Sequence, residues 1–257
     1  MTAVWKSDLY RFVKSKLFYG IAGFTCLIAV CLSMLLWQDI RLGISVFGNL
    51  SIFKTIDDIV RIGIQYHKAL GILTAILLSV FIGQEYTWQT WQNKWITQKS
   101  RSHIYLSKAI LSAAVSASIF VIFEIMALLC SGQIKELLTG VYVGMMVSSV
   151  FIYAALGSVL CMISMLIKSA TVSTIVCLVY VAFSETLVSI IRNISSLSGL
   201  TAKVSEWLVC HSIYGMSTIA CDTSFSIANM MPLIINATVI ILLSTTIGIF
   251  IFRRYDL

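Results

Sequence analysis

Six long apolar runs divide the chain, and they restrict its possible folds more than any other feature. They lie at Leu17–Trp37, His67–Gly83, Tyr105–Cys130, Leu137–Ile167, Ala170–Ile191 and Leu233–Phe252. A helix of about 20 apolar residues crosses the hydrocarbon core of a bilayer. Hydrophobic residues make up 59% of the chain and charged residues 11%, which is atypical of water-soluble domains. The sequence therefore predicts an all-α, polytopic integral membrane protein with six transmembrane helices, of which the second is the shortest.

The distribution of basic residues predicts the orientation in the membrane. With six spans both termini share one side, and 11 of the 18 Lys and Arg residues fall on that side. They are Lys6, Arg11, Lys14, Lys16, Lys94, Lys99, Arg101, Lys108, Lys168, Arg253 and Arg254. The positive-inside rule then places both termini in the cytoplasm and the protein in the cell membrane. We interpret the net charge of +7 as topology and attraction to anionic membrane lipids, because no basic domain is present to hold nucleic acid.

Two segments outside the spans are predicted to be structured. Residues 1–16 carry apolar side chains near helical spacing, which predicts a helix lying in the cytoplasmic interface. These side chains are Val4, Trp5, Leu9, Phe12 and Val13. The alternative is a continuous extension of the first membrane helix. The extracellular loop, residues 192–231, has apolar patches around Trp207–Val209, which predict partial structure that dips toward the membrane.

A polar, Trp-rich and basic segment, residues 84–104, connects the second and third spans. Trp88, Trp91 and Trp95 fall at i, i+3 and i+7, so they form one aromatic stripe on a helix. The stripe contacts either a partner protein or interfacial lipid, and both alternatives stay open. Glu85 lies at the inner end of the second span, where a carboxylate gains little from lipid. We expect it to have a basic or backbone partner within the protein.

The sequence has none of the common catalytic motifs. It has no phosphate-binding loop, no H-E-x-x-H, no G-x-S-x-G and no C-x-x-C pair. Its three histidines, His67, His103 and His211, are scattered over three loops. We therefore expect neither enzymatic activity nor a metal or cofactor bound by this chain. An intramembrane hydrolase assembled from distant helices is the alternative.

The same polar segment and the C-terminus resemble ABC-2-type transporter permeases. In that family an acidic residue near an aromatic, a Ser-Arg pair and a Lys follow in one order, which is similar to Phe81, Glu85, Tyr86, Thr90, Ser100, Arg101, Ile104 and Lys108 here. The ending FRRYDL, residues 252–257, also resembles the family, as do length and hydropathy, in particular those of lantibiotic-immunity and bacitracin-type export permeases. Gln89 departs from the family, which usually has glycine before the threonine.

The resemblance implies the permease half of an ATP-driven exporter. Such a subunit pairs with a second ABC-2 permease, identical or related, and with two copies of a cytoplasmic ATPase that binds ATP and Mg. Residues 84–104 would be the cytoplasmic coupling helix between the second and third spans. The residues assigned to ATPase coupling are Glu85, Tyr86, Trp88, Thr90, Trp91, Lys94 and Arg101.

The resemblance also implies a substrate, an amphipathic antimicrobial peptide of the lantibiotic or bacitracin type, expelled for self-immunity or resistance. One alternative is a membrane-embedded assembly or structural factor without a transport role. Another is an exporter of a different lipid-like substrate.

Two acidic residues within the apolar runs are candidates for the substrate path, Glu124 and Glu185. A carboxylate at membrane depth is costly unless it faces protein or water. Each residue either lines the route of a cationic peptide or hydrogen-bonds a hydroxyl or amide of a neighbouring helix.

Two cysteines share the extracellular loop, Cys210 and Cys221. Their spacing permits a disulfide that closes a small hairpin in an oxidising environment. Free thiols are the alternative.

Overall fold

The computed structural model describes residues 2–37, 43–44, 51–52, 56–88, 100–132, 139–196, 199–222 and 224–254. Apart from one two-residue antiparallel pairing, β1 (Gly43–Ile44) with β2 (Ser51–Ile52), its regular structure is helical. The α-helices are α1 (Thr2–Val13), α2 (Lys16–Trp37), α3 (Ile56–Ile64), α4 (Leu70–Thr87), α5 (Arg101–Ser131), α6 (Gly140–Leu166), α7 (Ala170–Ala182), α8 (Ser184–Ser196), α9 (Gly199–His211), α10 (Ile213–Cys221) and α11 (Met230–Arg254), with a 3₁₀ turn at Ile227–Asn229. The predicted all-helical class is confirmed.

Five described helices are long and apolar enough to cross a membrane, namely α2, α4, α5, α6 and α11. The fifth apolar run is not one straight helix, because α7 and α8 meet at 54° across Phe183. Ser184 donates its hydroxyl to the Val181 carbonyl at 2.9 Å, a bond that competes with the helix backbone and often bends it. The described helices therefore include five candidate spans, or six if the bent pair is one span.

The N-terminal segment forms a helix of its own. α1 ends at Val13, α2 begins at Lys16, and the Ser15 amide donates to the Phe12 carbonyl at 2.9 Å in the turn between them. The alternative of one continuous helix is therefore wrong. The buried face of α1 includes Asp8 and Phe12, at 1% and 4% exposure. This helix thus turns a carboxylate as well as an aromatic ring toward the rest of the protein.

Helical structure also occurs outside the six apolar runs, including residues 192–231, for which the sequence predicts partial structure. α3 lies within the connection between the first two spans, and its Ile59, Val60 and Ile64 are almost fully buried. Segment 192–231 contains α9, α10 and the beginning of α11, and α10 contributes Met216 to the core. The short helices α3 and α10 are stabilised by the apolar faces they bury, not by their length.

The helix bundle has two ends, which we name after the short helices that lie there, the α1 end and the α3 end. At the α1 end the end of α4 meets the end of α6, where the Tyr86 hydroxyl donates to the Met165 carbonyl at 2.7 Å. The start of α5 meets the end of α11 there, where Arg101 donates to the Arg253 carbonyl at 3.1 Å. α1 and the last turn of α11 therefore lie at the same end of the bundle.

Candidate functional site

A buried network of charged side chains lies at the α1 end and joins three helices. Lys108 Nζ of α5 lies 2.6 Å from Glu85 Oε1 of α4 and 3.0 Å from Asp8 Oδ1 of α1. Arg11 Nη1, also from α1, lies 2.5 Å from the same Glu85 oxygen. The side chains of Asp8, Glu85 and Lys108 are at most 1% exposed, and that of Arg11 is 30% exposed. Two positive and two negative groups balance one another, and three of the four are almost completely shielded from water.

Weaker contacts fix the geometry of this network. The Ser107 hydroxyl donates to Asp8 Oδ2 at 3.1 Å, and Arg11 donates to the Phe81 carbonyl at 2.9 Å. The Phe81 ring has the Arg11 guanidinium 4.3 Å from its centre and Lys108 Nζ at 4.9 Å, both within cation–π range. Backbone, hydroxyl and ring therefore all take part in holding the four charges.

Helical spacing explains how the sequence places these groups. Asp8 and Arg11 are three residues apart on α1, and Phe81 and Glu85 are four apart on α4, so each pair lies on one helix face. Burying one charge without its partners costs several kcal/mol. The three helices consequently cannot separate at this end without a large loss of free energy.

A cleft of about 640 Å³ opens beside the network, between α1, the start of α2 and the end of α4. Residues that line it include Tyr10, Arg11, Lys14, Lys16, Gln84 and Trp88. The Lys14 ammonium stands 4.6 Å from the centre of the Tyr10 ring. Arg11 is thus shared between the buried network and the cleft.

The residues assigned to ATPase coupling fall into three groups. Glu85 and Tyr86 lie on α4, and both are engaged within the chain, Glu85 by the basic partner that we expected for it. Trp88 caps α4 and is 62% exposed, and Arg101 begins α5. Thr90, Trp91 and Lys94 lie outside the described residues.

Sequence reasoning missed Asp8, Arg11 and Ser107 as members of the network. The available signal was Asp8, a carboxylate within a segment whose neighbours at helical spacing are Trp5 and Phe12. Its partner Lys108 lies 100 residues away, and only tertiary structure brings the two together. Lys108 itself was noticed through the family resemblance but not placed in the site.

Glu124 is fully buried toward the α3 end, under α3. The Tyr142 hydroxyl donates to its Oε2 at 3.4 Å, and among the described residues its Oε1 has no hydrogen-bond partner. A Cβ at Gly63 would overlap Glu124 Oε1, so α3 packs directly on the carboxyl group. The Tyr153 hydroxyl donates to the Gly63 carbonyl at 2.6 Å and holds α3 in place. In this conformation Glu124 contacts a hydroxyl of a neighbouring helix and not an open route.

Glu185 lies just after the bend between α7 and α8, near His67. Its Oε2 is 3.7 Å from His67 Nε2, and the His67 ring packs against Tyr214 with ring centres 5.0 Å apart. Burial and the neighbouring Lys68 lower the pKa of His67 to about 4. The Glu185 carboxyl group is too far from the ring for a hydrogen bond, and burial is the largest cause of the shift. The pair is therefore a neutral imidazole beside a carboxyl group at neutral pH.

The bridge expected between Cys210 and Cys221 is not formed, because both are free thiols. Cys210 is exposed on α9. The Cys221 sulfur turns toward α3 and its flank, where it accepts a hydrogen bond from Gln65 at 3.0 Å and donates to the Arg61 carbonyl at 3.5 Å. In this structure both cysteines are therefore free thiols, which was the alternative to a disulfide.

Among the residues that the structure describes, no three His, Cys, Asp or Glu side chains come together in a way that would hold a metal ion. In comparisons with known proteins, no family model and no curated protein matched the chain.

Proposed function

We propose that the chain is the permease subunit of an ATP-driven, ABC-2-type exporter in the cell membrane, with cytoplasmic termini. The observation that carries the proposal is the buried network at the α1 end. Phe81, Glu85 and Lys108, three residues that bear the family resemblance, meet there, on the helices that lead into and out of segment 89–99. The same polar groups that the family pattern singles out are those that the fold uses to join these helices.

The position of the network suits the transmission of force. A partner that pushes on segment 89–99 moves the end of α4 and the start of α5, and the ion pairs carry that movement to α1. Tyr86 extends the connection to α6, and Arg101 extends it to α11. Helices joined in this way move as one body, which is what coupling to ATPase closure requires.

In this proposal the chain binds and conducts its substrate and leaves hydrolysis to other chains. Two copies of a cytoplasmic ATPase bind ATP and Mg, and a second permease, identical or related, completes the membrane part. The exposed Trp88 is the described side chain best placed for contact with the ATPase, since large aromatic anchors dominate many protein interfaces.

The test is co-purification of the chain with any phosphate-loop ATPase that a neighbouring reading frame encodes, comparing Trp88→Ala with Trp207→Ala. Both tryptophans are exposed, at 62% and 58%, and Trp207 lies on α9, away from the α1 end. We expect the wild type and Trp207→Ala to retain the ATPase, and Trp88→Ala to retain about tenfold less, the loss typical of an interface tryptophan. Equal retention by all three proteins would contradict the docking role, and no retention by the wild type would favour the assembly or structural factor.

The proposed substrate is an amphipathic, cationic antimicrobial peptide, and Glu124 and Glu185 are proposed to attract its positive groups. Glu124 is buried under α3 in this conformation, so α3 has to move before the carboxyl group meets a peptide. Glu124→Gln and Glu185→Gln should lower cellular resistance to cationic peptides more than to neutral ones, with Glu206→Gln on the exposed face of α9 as the control. An equal response to both kinds of peptide assigns the two residues to packing.

A further inference from the structure

We propose that the cleft at the α1 end binds the phosphate group of an anionic phospholipid. The inference needs only the membrane spans and not the ATPase. Three cations line the cleft, Arg11, Lys14 and Lys16, and no acidic side chain is among its described lining residues. Its volume, about 640 Å³, lies within the range of sites that hold small molecules.

The charge of the cleft is not cancelled by the neighbouring network. Arg11 is balanced by Glu85, and the four groups of the network together carry no net charge. Lys14 and Lys16 come in addition to these, and both are exposed. Because no acidic side chain is among the described lining residues, Lys14 and Lys16 add two positive charges to the cleft, beside a partly exposed guanidinium that already donates to a carboxylate. A phosphate oxygen accepts hydrogen bonds from the same donors.

The surroundings favour a lipid over a soluble phosphate. The cleft begins where α2 enters its apolar stretch, and the next turns of α2 expose Tyr19 and Phe24 at 59% and 52%. Exposed Trp88 stands at its rim, at the level where aromatic side chains mark the headgroup region. A headgroup held by Lys14 and Lys16 would place its acyl chains along this face of α2.

Lys6 provides a matched control. Lys6 lies on α1 and is exposed, as are Lys14, just after α1, and Lys16, at the start of α2. Unlike those two lysines, it does not line the cleft. Non-specific attraction to an anionic surface uses all three lysines, whereas a defined site uses two of them.

The experiment measures lipid binding to the purified full-length chain in mixed micelles, by native mass spectrometry, with dioleoyl phosphatidylglycerol against dioleoyl phosphatidylcholine. We expect phosphatidylglycerol to bind, and Lys14→Gln or Lys16→Gln to weaken it about fivefold each, the equivalent of about 1 kcal/mol per lysine near an anionic headgroup. Lys6→Gln should leave the affinity within about twofold of the wild type. Equal binding of the two lipids, or equal losses in all three variants, would overturn the site.

A second measurement needs no variant. Acetylation of lysines in the wild-type chain, followed by peptide mass analysis, should show Lys14 and Lys16 protected by phosphatidylglycerol while Lys6 stays reactive. The same measurement with inorganic phosphate distinguishes a lipid headgroup from a soluble phosphate as the bound anion. If millimolar phosphate alone protects Lys14 and Lys16 as well as the lipid does, the lipid assignment is overturned in favour of a soluble phosphate.

Discussion

Lys108 has none of its surface exposed, and carboxylates from Glu85 and Asp8 lie within 3.0 Å of its ammonium group. Such a group tolerates burial only because its charge is matched. The same holds for Glu85, which has two cationic neighbours. Removing one member of this network should therefore lower the free energy of unfolding more than removing two members of opposite charge.

Glu85→Gln should be more destabilising than the double variant Arg11→Gln/Glu85→Gln. The single change leaves an excess positive charge among buried groups and should cost about 3–5 kcal/mol, whereas the double change restores the balance, with Lys108 still paired to Asp8. Thermal unfolding in detergent, with ligand-free protein at pH 7, is the measurement. A double variant less stable than the single one would show that Arg11 and Glu85 act independently.

The lowered pKa of His67 predicts that the stability of the folded chain depends on pH. Its pKa is about 4 in the folded chain against 6.5 for the free side chain, so between these values the unfolded state binds more protons. The folded state is then most stable above pH 6.5, and it loses stability as the pH falls toward 4, by at most about 1.4 kcal/mol per pH unit from this group.

The measurement is the unfolding midpoint at several pH values between 7 and 4.5. His67→Gln should flatten the profile, and His103→Gln, a change at an exposed histidine, should not. Charged groups near His67 are Lys68 and Glu185, with Tyr214 beside the ring. Identical slopes for the wild type and His67→Gln would remove this group as the cause.

At the scale of helices, glycine positions show where two elements approach most closely. The G-x-x-x-G pair at Gly140 and Gly144 is not such a place, since a Cβ at Gly144 would lie 3.5 Å from Phe225, an ordinary contact. Gly157 on α6 is different, because a Cβ there would overlap the Ser112 carbonyl and lie 2.7 Å from Ser116 of α5. The glycine that allows close packing therefore lies outside the G-x-x-x-G spacing.

Gly157→Ala should disturb the contact between α5 and α6, with a loss of about 1–3 kcal/mol from overpacking. Gly144→Ala, on the same helix, should be tolerated and is the matched control. Thermal unfolding and the yield of monodisperse protein report the effect. Equal stability of the two variants would mean that α5 and α6 separate easily at Gly157.

What the sequence could predict follows from the range of the interactions involved. The spans depend on local hydropathy, so five of the six apolar runs correspond to single described helices of similar extent. The bend at Phe183 depends on a serine hydroxyl, and α3 depends on burial against α5, and neither has a strong local signal. In the same way Glu85 was recognised in its own segment, whereas its partner Arg11 lies 74 positions earlier and was not.

At the scale of the whole molecule, α1, the end of α4, the start of α5 and the end of α11 share one end of the bundle, while α3, α9 and α10 lie toward the other. Basic side chains gather at the α1 end, including Arg11, Lys14, Lys16 and Lys108, and this distribution favours the cytoplasm for that end. Cys210, an exposed thiol on α9, provides a native marker for the opposite side.

We expect a membrane-impermeant maleimide to label Cys210 in intact cells without prior reduction, because the thiol is free and the proposed orientation turns the α3 end outward. Cys210→Ser should remove most of this labelling. Cys221 is engaged by Gln65, Cys31 lies in the apolar stretch of α2, and Cys130, in the last turn of α5, is less exposed than Cys210. Ser7→Cys, placed on the exposed face of α1 in the Cys210→Ser background, should react only after the cells are permeabilised. The reverse pattern would place the α1 end outside, away from any cytoplasmic ATPase, and would contradict both the orientation and the proposed coupling. Labelling of Cys210 only after reduction would instead show that the thiol is bridged in the cell.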